Sequence, residues 1–220
     1  MISVRDFGRT TLLCLIGGSS DAIAFSQFGA FVGAMSGNTV LLGIELAMGD
    51  LRQAAYHACL IAVFLLAVSI GRIQILAKIS PAATFFFTAP LFLVAGSIEN
   101  KWAALITAAA LGLQNSVVRQ IAGVSVNTVF ITGDLVQLGS ALPEAKKPDQ
   151  KRQVTIHTTA WIAYAAGAVI GALALRLGTM PMIVPALLAL AAGMEHISRS
   201  PEPRDEGAGR GRDTRDRREA

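Results

Sequence analysis

One nine-residue pattern occurs twice in this chain, and each copy lies inside a long apolar stretch. Residues 35–43 read Met-Ser-Gly-Asn-Thr-Val-Leu-Leu-Gly, and residues 131–139 read Ile-Thr-Gly-Asp-Leu-Val-Gln-Leu-Gly. Both copies have a hydroxyl residue followed by Gly-(Asn/Asp)-x-Val-x-Leu-Gly at identical spacing. Polar residues are costly within hydrocarbon, so their recurrence indicates a specific role. The pattern predicts a duplicated fold in which polar groups interrupt apolar segments.

The composition around this pattern is typical of a membrane protein. Apolar residues make up 53% of the chain and charged residues 15%, and the mean hydropathy is +0.53. A soluble domain normally carries about 25% charged residues. The few aromatic residues and the absence of a basic cluster in the body argue against nucleic-acid binding. Cys14 and Cys59 lie in apolar runs without CxxC spacing, so we expect neither a disulfide nor a zinc site.

Eight apolar segments follow one another along the chain. The third and the seventh, residues 54–76 and 154–177, are long enough to cross about 30 Å of hydrocarbon, which takes about 20 helical residues. The shorter segments are residues 11–27, 30–48, 82–98, 102–118, 124–142 and 181–197. A backbone in lipid must satisfy its own hydrogen bonds, and no segment alternates as a barrel strand would. We therefore expect an all-α, polytopic membrane helix bundle.

The duplication extends over most of the chain. Equivalent residues recur at offsets of 94, 96 and 100: Gly18 with Gly112, Asp21 with Asn115, Gly37 with Gly133, Asn38 with Asp134, His57 with His157, and Gly71 with Gly171. We therefore expect one integral membrane domain over residues 1–197, built from tandem homologous repeats over about 8–99 and 102–197. Residues 198–220 hold seven arginines and six acidic residues, which predicts a disordered, charged cytoplasmic tail.

The number of membrane crossings has two interpretations. If all eight segments cross, the repeats run parallel; if the second and sixth only re-enter, each half crosses three times and the repeats are inverted. Both interpretations place 15 of the 19 Lys and Arg residues on the cytoplasmic side, so charge does not choose between them. Gly29 and Gly123, as hairpin turns, favour eight slightly. Either count puts both termini in the cytoplasm, and we expect a multi-pass protein of the bacterial inner membrane.

Five polar residues within the apolar segments are candidate binding residues. They are Asp21, Asn38, Asn115, Arg119 and Asp134. An ionised aspartate in hydrocarbon costs on the order of 2.5–3.5 kcal/mol, so Asp134 requires a partner, a water-filled cavity or protonation. Arg119 is the expected partner of Asp134 or of Asp21. We also expect Asp21 and Asn115 to face one another, or a shared cavity, near the axis between the halves.

Six glycines are predicted to break helices or to let helices pack closely. They are Gly18, Gly37, Gly71, Gly112, Gly133 and Gly171. The triplets Ser36-Gly37-Asn38 and Thr132-Gly133-Asp134 predict helix interruptions, which in transporters present backbone groups to ions and substrates. The alternative is that these glycines and their polar neighbours only hold helices together through small-residue contacts and interhelical hydrogen bonds.

The sequence contains no motif of an enzyme. Nucleophile elbows, HExxH, phosphate-binding loops and dinucleotide fingerprints are all absent, so we expect no catalytic residue, metal site or cofactor. Two functions stay open: a small-molecule or ion transporter with its pathway between the repeats, and a membrane scaffold or interaction protein. The expected partners are the lipid bilayer and an unknown small solute or ion, and a homo-oligomer is compatible with the sequence.

The combined motifs resemble those of the YoaK-like family of uncharacterised bacterial integral membrane proteins. The resemblance rests on Gly18-x-x-Asp21-Ala22, on Phe31 followed by Met35-Ser36-Gly37-Asn38-Thr39-Val40, and on Gly112-x-Gln114-Asn115-Ser116 and Thr132-Gly133-Asp134-Leu135. It spans nearly the whole chain before the tail. Members commonly have Thr where Ser36 stands, and an uncharged residue is more usual than Asp134. The family has no established activity, so the resemblance implies location and fold.

Overall fold

The computed structural model describes residues 4–117, 120–121, 124–125, 131–178 and 180–197. This part of the chain forms eight α-helices: α1 (Val4–Phe28), α2 (Met35–Met48), α3 (Leu51–Leu76), α4 (Pro81–Gly96), α5 (Trp102–Val117), α6 (Ile131–Ala141), α7 (Pro148–Arg176) and α8 (Ile183–Ile197). Besides them lie a 3-10 turn, Leu142–Glu144, and a two-residue antiparallel ladder of β1 (Gln120–Ile121) with β2 (Val124–Ser125). Each helix corresponds to one predicted apolar segment, so the all-α prediction is confirmed.

Local sequence signals set several helix boundaries. Gly49 adopts φ 78° and ends α2, because glycine enters the left-handed region without a side-chain penalty. The Asp50 side chain then accepts a hydrogen bond from the Gln53 amide at 3.1 Å and caps the start of α3. Ser80 caps α4 in the same way, with Pro81 as the first helical residue. These signals place a tight turn between α2 and α3 and a defined start for α4.

Two helices are long and apolar enough to cross a membrane within the described residues. They are Leu51–Ile75 and Pro148–Arg176, with mean hydropathies of 2.2 and 1.6 over their most apolar windows. These are the third and seventh predicted segments, as expected. Only 22% and 28% of those windows are buried, whereas the core helix of a soluble protein is mostly buried. Apolar helices with this much exposed surface fit contact with lipid.

The helices of the two halves pack on one another crosswise. Helix α1 lies against α7, and α5 lies against α3, so the first helix of each half contacts the third helix of the other half. Likewise α2 packs on α3 and α6 on α7, while α1 meets α8 and α5 meets α4. Helices α4 and α8 pack on each other. The main helix–helix contacts of one half therefore each have a counterpart made by the other.

Glycines permit backbone contact where the crosswise pairs meet. A Cβ atom on Gly18 of α1 would overlap the Tyr164 carbonyl oxygen of α7. At the equivalent crossing, a Cβ atom on Gly112 of α5 would lie 2.7 Å from the Phe64 carbonyl oxygen of α3. A Cβ atom on Gly18 or Gly112 therefore cannot be accommodated at the present helix separation. Small residues at such positions allow the close approach that stabilises helix pairs in lipid.

A second pair of glycines lies one step further along the same crossings. A Cβ atom on Gly171 would lie 2.6 Å from the Ser19 carbonyl oxygen, and one on Gly71 would overlap Ser116 Oγ. Gly171 contacts α1, and Gly71 contacts α5. Both crossings thus have a glycine on each helix where the partner helix leaves no room for a Cβ atom.

Helices α4 and α8 run in opposite directions. Gly96, at the end of α4, lies against Met182, just before the start of α8, where a Cβ atom would be 3.0 Å from the Met182 Cβ atom. Gly193, near the end of α8, lies against Phe86 near the start of α4, with a Cβ–ring distance of 3.2 Å. The end of one helix therefore meets the start of the other at both ends of the contact.

The chain folds back between α1 and α2. Gly29 adopts φ 66° after the last residue of α1, and the loop of residues 29–34 returns to the side chain of Asp21. Because Asp21 precedes the end of α1 by seven residues, α2 starts about 10 Å short of that end. Helix α2 thus begins at depth within the bundle.

The predicted helix interruption at Gly37 is wrong in its position. Ser36-Gly37-Asn38 lies in the first turn of α2, and that helix continues to Met48 without a break. Thr132-Gly133-Asp134 lies in the first turn of α6, which continues to Ala141. In the first half, the break is the loop of residues 29–34, which precedes the triplet. Glycine lowers helix propensity, but a glycine in the first turn destabilises a helix little. The amide of a first-turn residue has no hydrogen-bond partner within the helix.

Alanine substitution separates the glycines that hold a crossing from those that do not. We expect Gly18→Ala to lower the thermal unfolding midpoint in detergent, because the new methyl group meets backbone, and overpacking typically costs 1–3 kcal/mol. Gly43→Ala is the matched control, since no atom lies within 4 Å of its Cβ position and alanine favours helix by about 1 kcal/mol. Equal midpoints for the two variants would contradict the described contact.

Candidate functional site

The carboxylate of Asp21 binds the backbone of the loop before α2. Its Oδ1 atom accepts hydrogen bonds from the amides of Val32 at 2.8 Å and Gly33 at 2.7 Å, and its Oδ2 atom accepts one from Ala34 at 3.1 Å. These three consecutive amides precede the helix and have no partner within it. Asp21 is only 3% exposed, so the contact is shielded from solvent. One side chain therefore satisfies a whole turn of irregular backbone.

Tyr164 of α7 completes the coordination of Asp21 from the other half of the chain. Its hydroxyl donates to Asp21 Oδ2 at 2.5 Å. An ionised carboxylate is an acceptor only, with room for about four hydrogen bonds. Three amides and one hydroxyl fit that capacity. Asp21 consequently ties together α1, the loop before α2 and α7.

Asn38 holds the same loop from the other side. Its Nδ2 atom donates to the Phe31 carbonyl oxygen at 2.6 Å, and its Oδ1 atom accepts from the Phe31 amide at 3.0 Å. Next to it, a Cβ atom on Gly37 would lie 2.6 Å from the Phe31 ring, which stacks on Phe25 at 4.7 Å. Gly37 therefore leaves room for a ring, and Asn38 pairs with backbone as another peptide group would.

A buried acid–base pair lies in the second half. Asp134 in the first turn of α6 places Oδ1 2.8 Å from Nδ1 of His157 on α7. The two side chains are 1% and 2% exposed. The Cys14 thiol of α1 lies within electrostatic range of Asp134. The contact is a buried hydrogen bond between a carboxylate and an imidazole, and it joins the first turn of α6 to α7.

Helix α7 contributes to both buried carboxylate sites. His157 and Tyr164 are seven residues apart, so they lie on one face, about 10 Å from each other along the axis. His157 contacts the carboxylate of Asp134, and Tyr164 contacts that of Asp21. Helix α7 thus supplies a polar contact to each of the two buried carboxylates.

Two expected pairings have different outcomes. Arg119 lies outside the described residues, and so does its predicted ion pair with Asp21 or Asp134. Asp21 and Asn115 share no hydrogen bond in the described part; Asp21 bonds to the loop and Tyr164 instead. Asn115 lies half-buried on α5, which packs against α3. The amides of the loop supply more donors than Asn115 could, so the loop takes the carboxylate.

Tyr164 is the residue that the sequence analysis missed. It stands in an apolar run, where a single hydroxyl gives no periodic signal. The repeat contains the missing signal, because the offset of 100 that relates His57 to His157 also relates Phe64 to Tyr164. Tyr164 has a hydroxyl where α7 faces Asp21. Its equivalent Phe64 has none, and the equivalent of Asp21 is Asn115.

His57 differs from its counterpart in its contacts. It is 3% exposed, and its Nδ1 atom has no hydrogen-bond partner among the described residues. Asn38, the counterpart of Asp134, bonds to Phe31 instead. The two halves thus have a histidine at equivalent positions, but only the histidine of the second half, His157, contacts a carboxylate in the described part of the chain.

Two cavities lie where helix ends meet. One of about 600 Å³ lies between the ends of α1 and α4 and the connection from α7 to α8, and includes Phe28, Glu99 and Gly178. Another of about 290 Å³ lies between the starts of α3 and α5 and includes Arg52 and Lys101. Neither lining includes Asp21 or Asp134. The described side chains form no group of three or more metal-ligating residues.

We expect Asp21→Asn to destabilise the protein. An amide offers one acceptor oxygen and turns an NH₂ donor towards loop amides that also donate, and each unsatisfied buried donor costs about 1–3 kcal/mol. Tyr164→Phe removes a single donor and should cost less. Thermal unfolding of both variants and the double variant in detergent measures the coupling between the two residues.

Tyr56→Phe is the matched control for Tyr164→Phe. The buried Tyr56 hydroxyl has no hydrogen-bond partner among the described residues, so its removal should leave the unfolding midpoint near that of the parent. If Asp21→Asn were as stable as the parent, the proposed role of Asp21 in holding the loop would be wrong.

Comparisons with known proteins agree with these observations. Residues 10–194 match the family described as "Protein of unknown function (DUF1275)". The UPF0700 transmembrane protein RA0705 of Rhizobium meliloti (strain 1021) is 31% identical over 183 residues, which are 81% of this chain and 80% of that protein. No solved structure matches. The predicted resemblance to an uncharacterised membrane-protein family is supported at that level, while neither description uses the YoaK-like name. The chain belongs to the DUF1275 family.

Proposed function

We propose that the chain is a six-crossing inner-membrane transporter of a small solute or ion, with its pathway between two inverted repeats. The observation that carries the proposal is the opposite direction of α4 and α8. In an eight-crossing arrangement, the fourth and eighth crossings would run the same way. In a six-crossing arrangement with α2 and α6 re-entrant, they run in opposite directions.

The fold-back before α2 supports the same arrangement. The chain leaves α1 at Phe28, returns to the level of Asp21, and then runs outwards through α2 to the start of α3. Helix α2 has 14 residues, fewer than the roughly 20 that a crossing needs. Lipid-facing irregular backbone is excluded at this depth, whereas backbone buried within protein is tolerated. Asp21 and Asn38 provide that protein environment.

The distribution of basic residues sets the orientation of this arrangement. Arg52, Lys101 and Arg176 lie near helix ends on one side, and 15 of the 19 Lys and Arg residues fall on the other. Basic residues are enriched in cytoplasmic loops. Both termini are therefore cytoplasmic, and the turn between α4 and α5 faces the outside. The equivalent halves then have opposite orientations in the membrane.

Transport is supported by the buried ionisable pair in the second half. Ionisable residues inside membrane segments are costly and mark ion or substrate pathways more often than structural contacts. Asp134 and His157 lie at the junction of α6 and α7, with α1 of the other half beside them. Short helices that begin within the bundle are the elements that line such pathways in transporters with inverted repeats.

A scaffold function is the second candidate, and a specific observation favours it. All the hydrogen bonds of Asp21 go to groups of the protein itself, and the glycines at both crossings are in backbone contact. These residues hold helices together and need no solute. In that case the bundle would present its lipid-facing surface to a partner or to further copies of the chain.

Reporter fusions test the crossing number. We expect a fusion at residue 100, between α4 and α5, to be active as a periplasmic alkaline phosphatase, because three crossings precede it. A fusion after residue 197 should be active only with a cytoplasmic reporter. A cytoplasmic turn at residue 100 would require four crossings per half and would contradict the inverted arrangement.

Solid-supported-membrane currents on proteoliposomes test transport. We expect a panel of small metabolites and inorganic ions to include at least one that evokes a current in the parent protein. Gly18→Ala, which should loosen the crossing of α1 with α7, is expected to reduce that current. Correctly folded protein that gives no current with any solute would favour the scaffold.

A further inference from the structure

We propose that the cavity between the starts of α3 and α5 binds an anionic phospholipid of the surrounding bilayer, with Arg52 and Lys101 holding its phosphate. The cavity has a volume of about 290 Å³ and combines basic side chains with an apolar wall. The ligand comes from the membrane and is not a transported solute. The inference therefore holds for either candidate function and does not depend on transport.

Two cations line this cavity at the ends of the helices. Arg52 is the second residue of α3, and Lys101 directly precedes α5. Both residues are exposed, and neither forms an ion pair with a carboxylate of the described residues. The starts of both helices border the cavity, so the positive ends of two helix dipoles add to the charge of the side chains. An anionic group is the complement of this end of the cavity.

The nearby acidic residues do not line this cavity. The Asp50 side chain caps α3 by accepting a hydrogen bond from the Gln53 amide at 3.1 Å. Glu99 lines the other cavity, and Glu45 lies within electrostatic range of the buried His57. The charged side chains that line the cavity between α3 and α5 are therefore all basic among the described residues.

Neutral groups of α3 hold Lys101 beside the cavity. Its Nζ atom donates a hydrogen bond to Gln53 Oε1 and stands 4.6 Å from the centre of the Tyr56 ring. An aromatic face attracts a cation without neutralising its charge. An ammonium group has three N–H donors, so the bond to Gln53 leaves donors for a phosphate oxygen.

The apolar wall of the cavity favours a lipid over a free phosphate ion. Arg52 and Cys59 are seven residues apart on one face of α3, about 10 Å from each other along the axis. Ala55 and Leu105 line the same cavity. A phosphate ion would occupy only the charged end, whereas a phospholipid also places an acyl chain along this wall.

Trp102 places the cavity at the level of the bilayer surface. It is the first residue of α5, lines the cavity and is 67% exposed. Tryptophan is enriched at the membrane–water interface, where its ring lies at the level of the headgroups. Basic side chains at that level attract anionic headgroups. The position of Trp102 also makes it a reporter of the lipid in the cavity.

The repeat supplies a matched comparison within the chain. Arg52 recurs as Arg152 at the offset of 100, but at the offset of 94 the position of Lys101 is occupied by Phe7. The second half thus has one of the two cations at equivalent positions. We therefore expect lipid selectivity at the first half, with Arg152 as the control.

Quenching of Trp102 by phospholipids with brominated acyl chains tests the site. The chain has two tryptophans, so Trp161→Phe leaves Trp102 as the reporter. In bilayers of equal parts phosphatidylglycerol and phosphatidylcholine, bromine on one lipid or on the other shows which of them lies beside the ring. We expect the anionic lipid to bind there on the order of tenfold more tightly, because each cation near an anionic headgroup contributes roughly fivefold.

Charge variants assign this preference to the two cations. Arg52→Gln and Lys101→Gln should each lower it roughly fivefold, whereas Lys101→Arg and Arg152→Gln should leave it unchanged. The Arg52 side chain makes no hydrogen bond or ion pair with the described residues, so Arg52→Gln removes charge without removing a contact that holds the fold. Circular dichroism of each variant establishes that it is folded.

Trp161, observed alone in Trp102→Phe, is the second control. It lies on α7, is 44% exposed and does not line this cavity, so both lipids should quench it equally. Equal quenching of Trp102 by the two lipids, or the same preference at Trp161, would overturn the inference. A preference that survives Arg52→Gln combined with Lys101→Gln would overturn it as well.

Sodium phosphate distinguishes a lipid site from a site for a free anion. If a lipid fills the cavity, phosphate should reduce the quenching by the anionic lipid no more than sodium chloride does at the same ionic strength. A larger reduction by phosphate would show that the cavity takes a free anion, contrary to the proposal. None of these measurements uses a solute current, so the inference and the proposed function can fail separately.

Discussion

The buried loop between α1 and α2 depends on one carboxylate, which accepts the hydrogen bonds of its backbone amides. Amides without partners are too costly within hydrocarbon, and residues 32–34 cannot form helical bonds where the chain folds back. Asp21 accepts all three amides, and Asn38 pairs with Phe31 beside them. The short helix α2 can then start at depth. Its position, the turn into α3 and the contact of α1 with α7 all depend on that satisfied loop.

The hydrogen bond from Tyr164 to Asp21 connects this loop to the packing of the whole bundle. It joins the first helix of one half to the third helix of the other. Glycines at the same crossing bring the two backbones together, so the hydroxyl can reach the carboxylate. The equivalent crossing of α5 with α3 has Asn115 and Phe64 at these positions, and the buried carboxylate of the second half, Asp134, lies on α6 instead. The two halves have the same helix packing but carry their buried carboxylates on different helices, α1 and α6.

Much of the fold could be predicted from the sequence because its signals are local. Apolar segments set the eight helices, and the turn residues Gly29, Gly49 and Ser80 set boundaries. The crosswise packing could not be predicted, because an internal repeat shows which helices are equivalent and not which are neighbours. The partner of Asp21 was missed for a similar reason. Tyr164 is 143 residues away, and loop amides have no sequence signature.

The position of the helix break shows how a correct signal can be assigned to the wrong residues. Gly37 and Asn38 do lie next to a break in helical structure, but they contact the loop that precedes them: Gly37 leaves space for the Phe31 ring, and Asn38 binds the Phe31 backbone. Both residues contact Phe31, which precedes them in the chain, and helix propensity does not predict such contacts. The same motif in α6 instead supplies a carboxylate to His157.

Hydrogen–deuterium exchange of residues 29–38 tests the central claim most directly. If Asp21 satisfies the loop amides, this segment should exchange slowly in the parent, and Asp21→Asn should accelerate it while leaving α3 protected. Tyr164→Phe should have a smaller effect on the same segment. Rapid exchange of the loop in the parent, or exchange that Asp21→Asn leaves unchanged, would contradict the account.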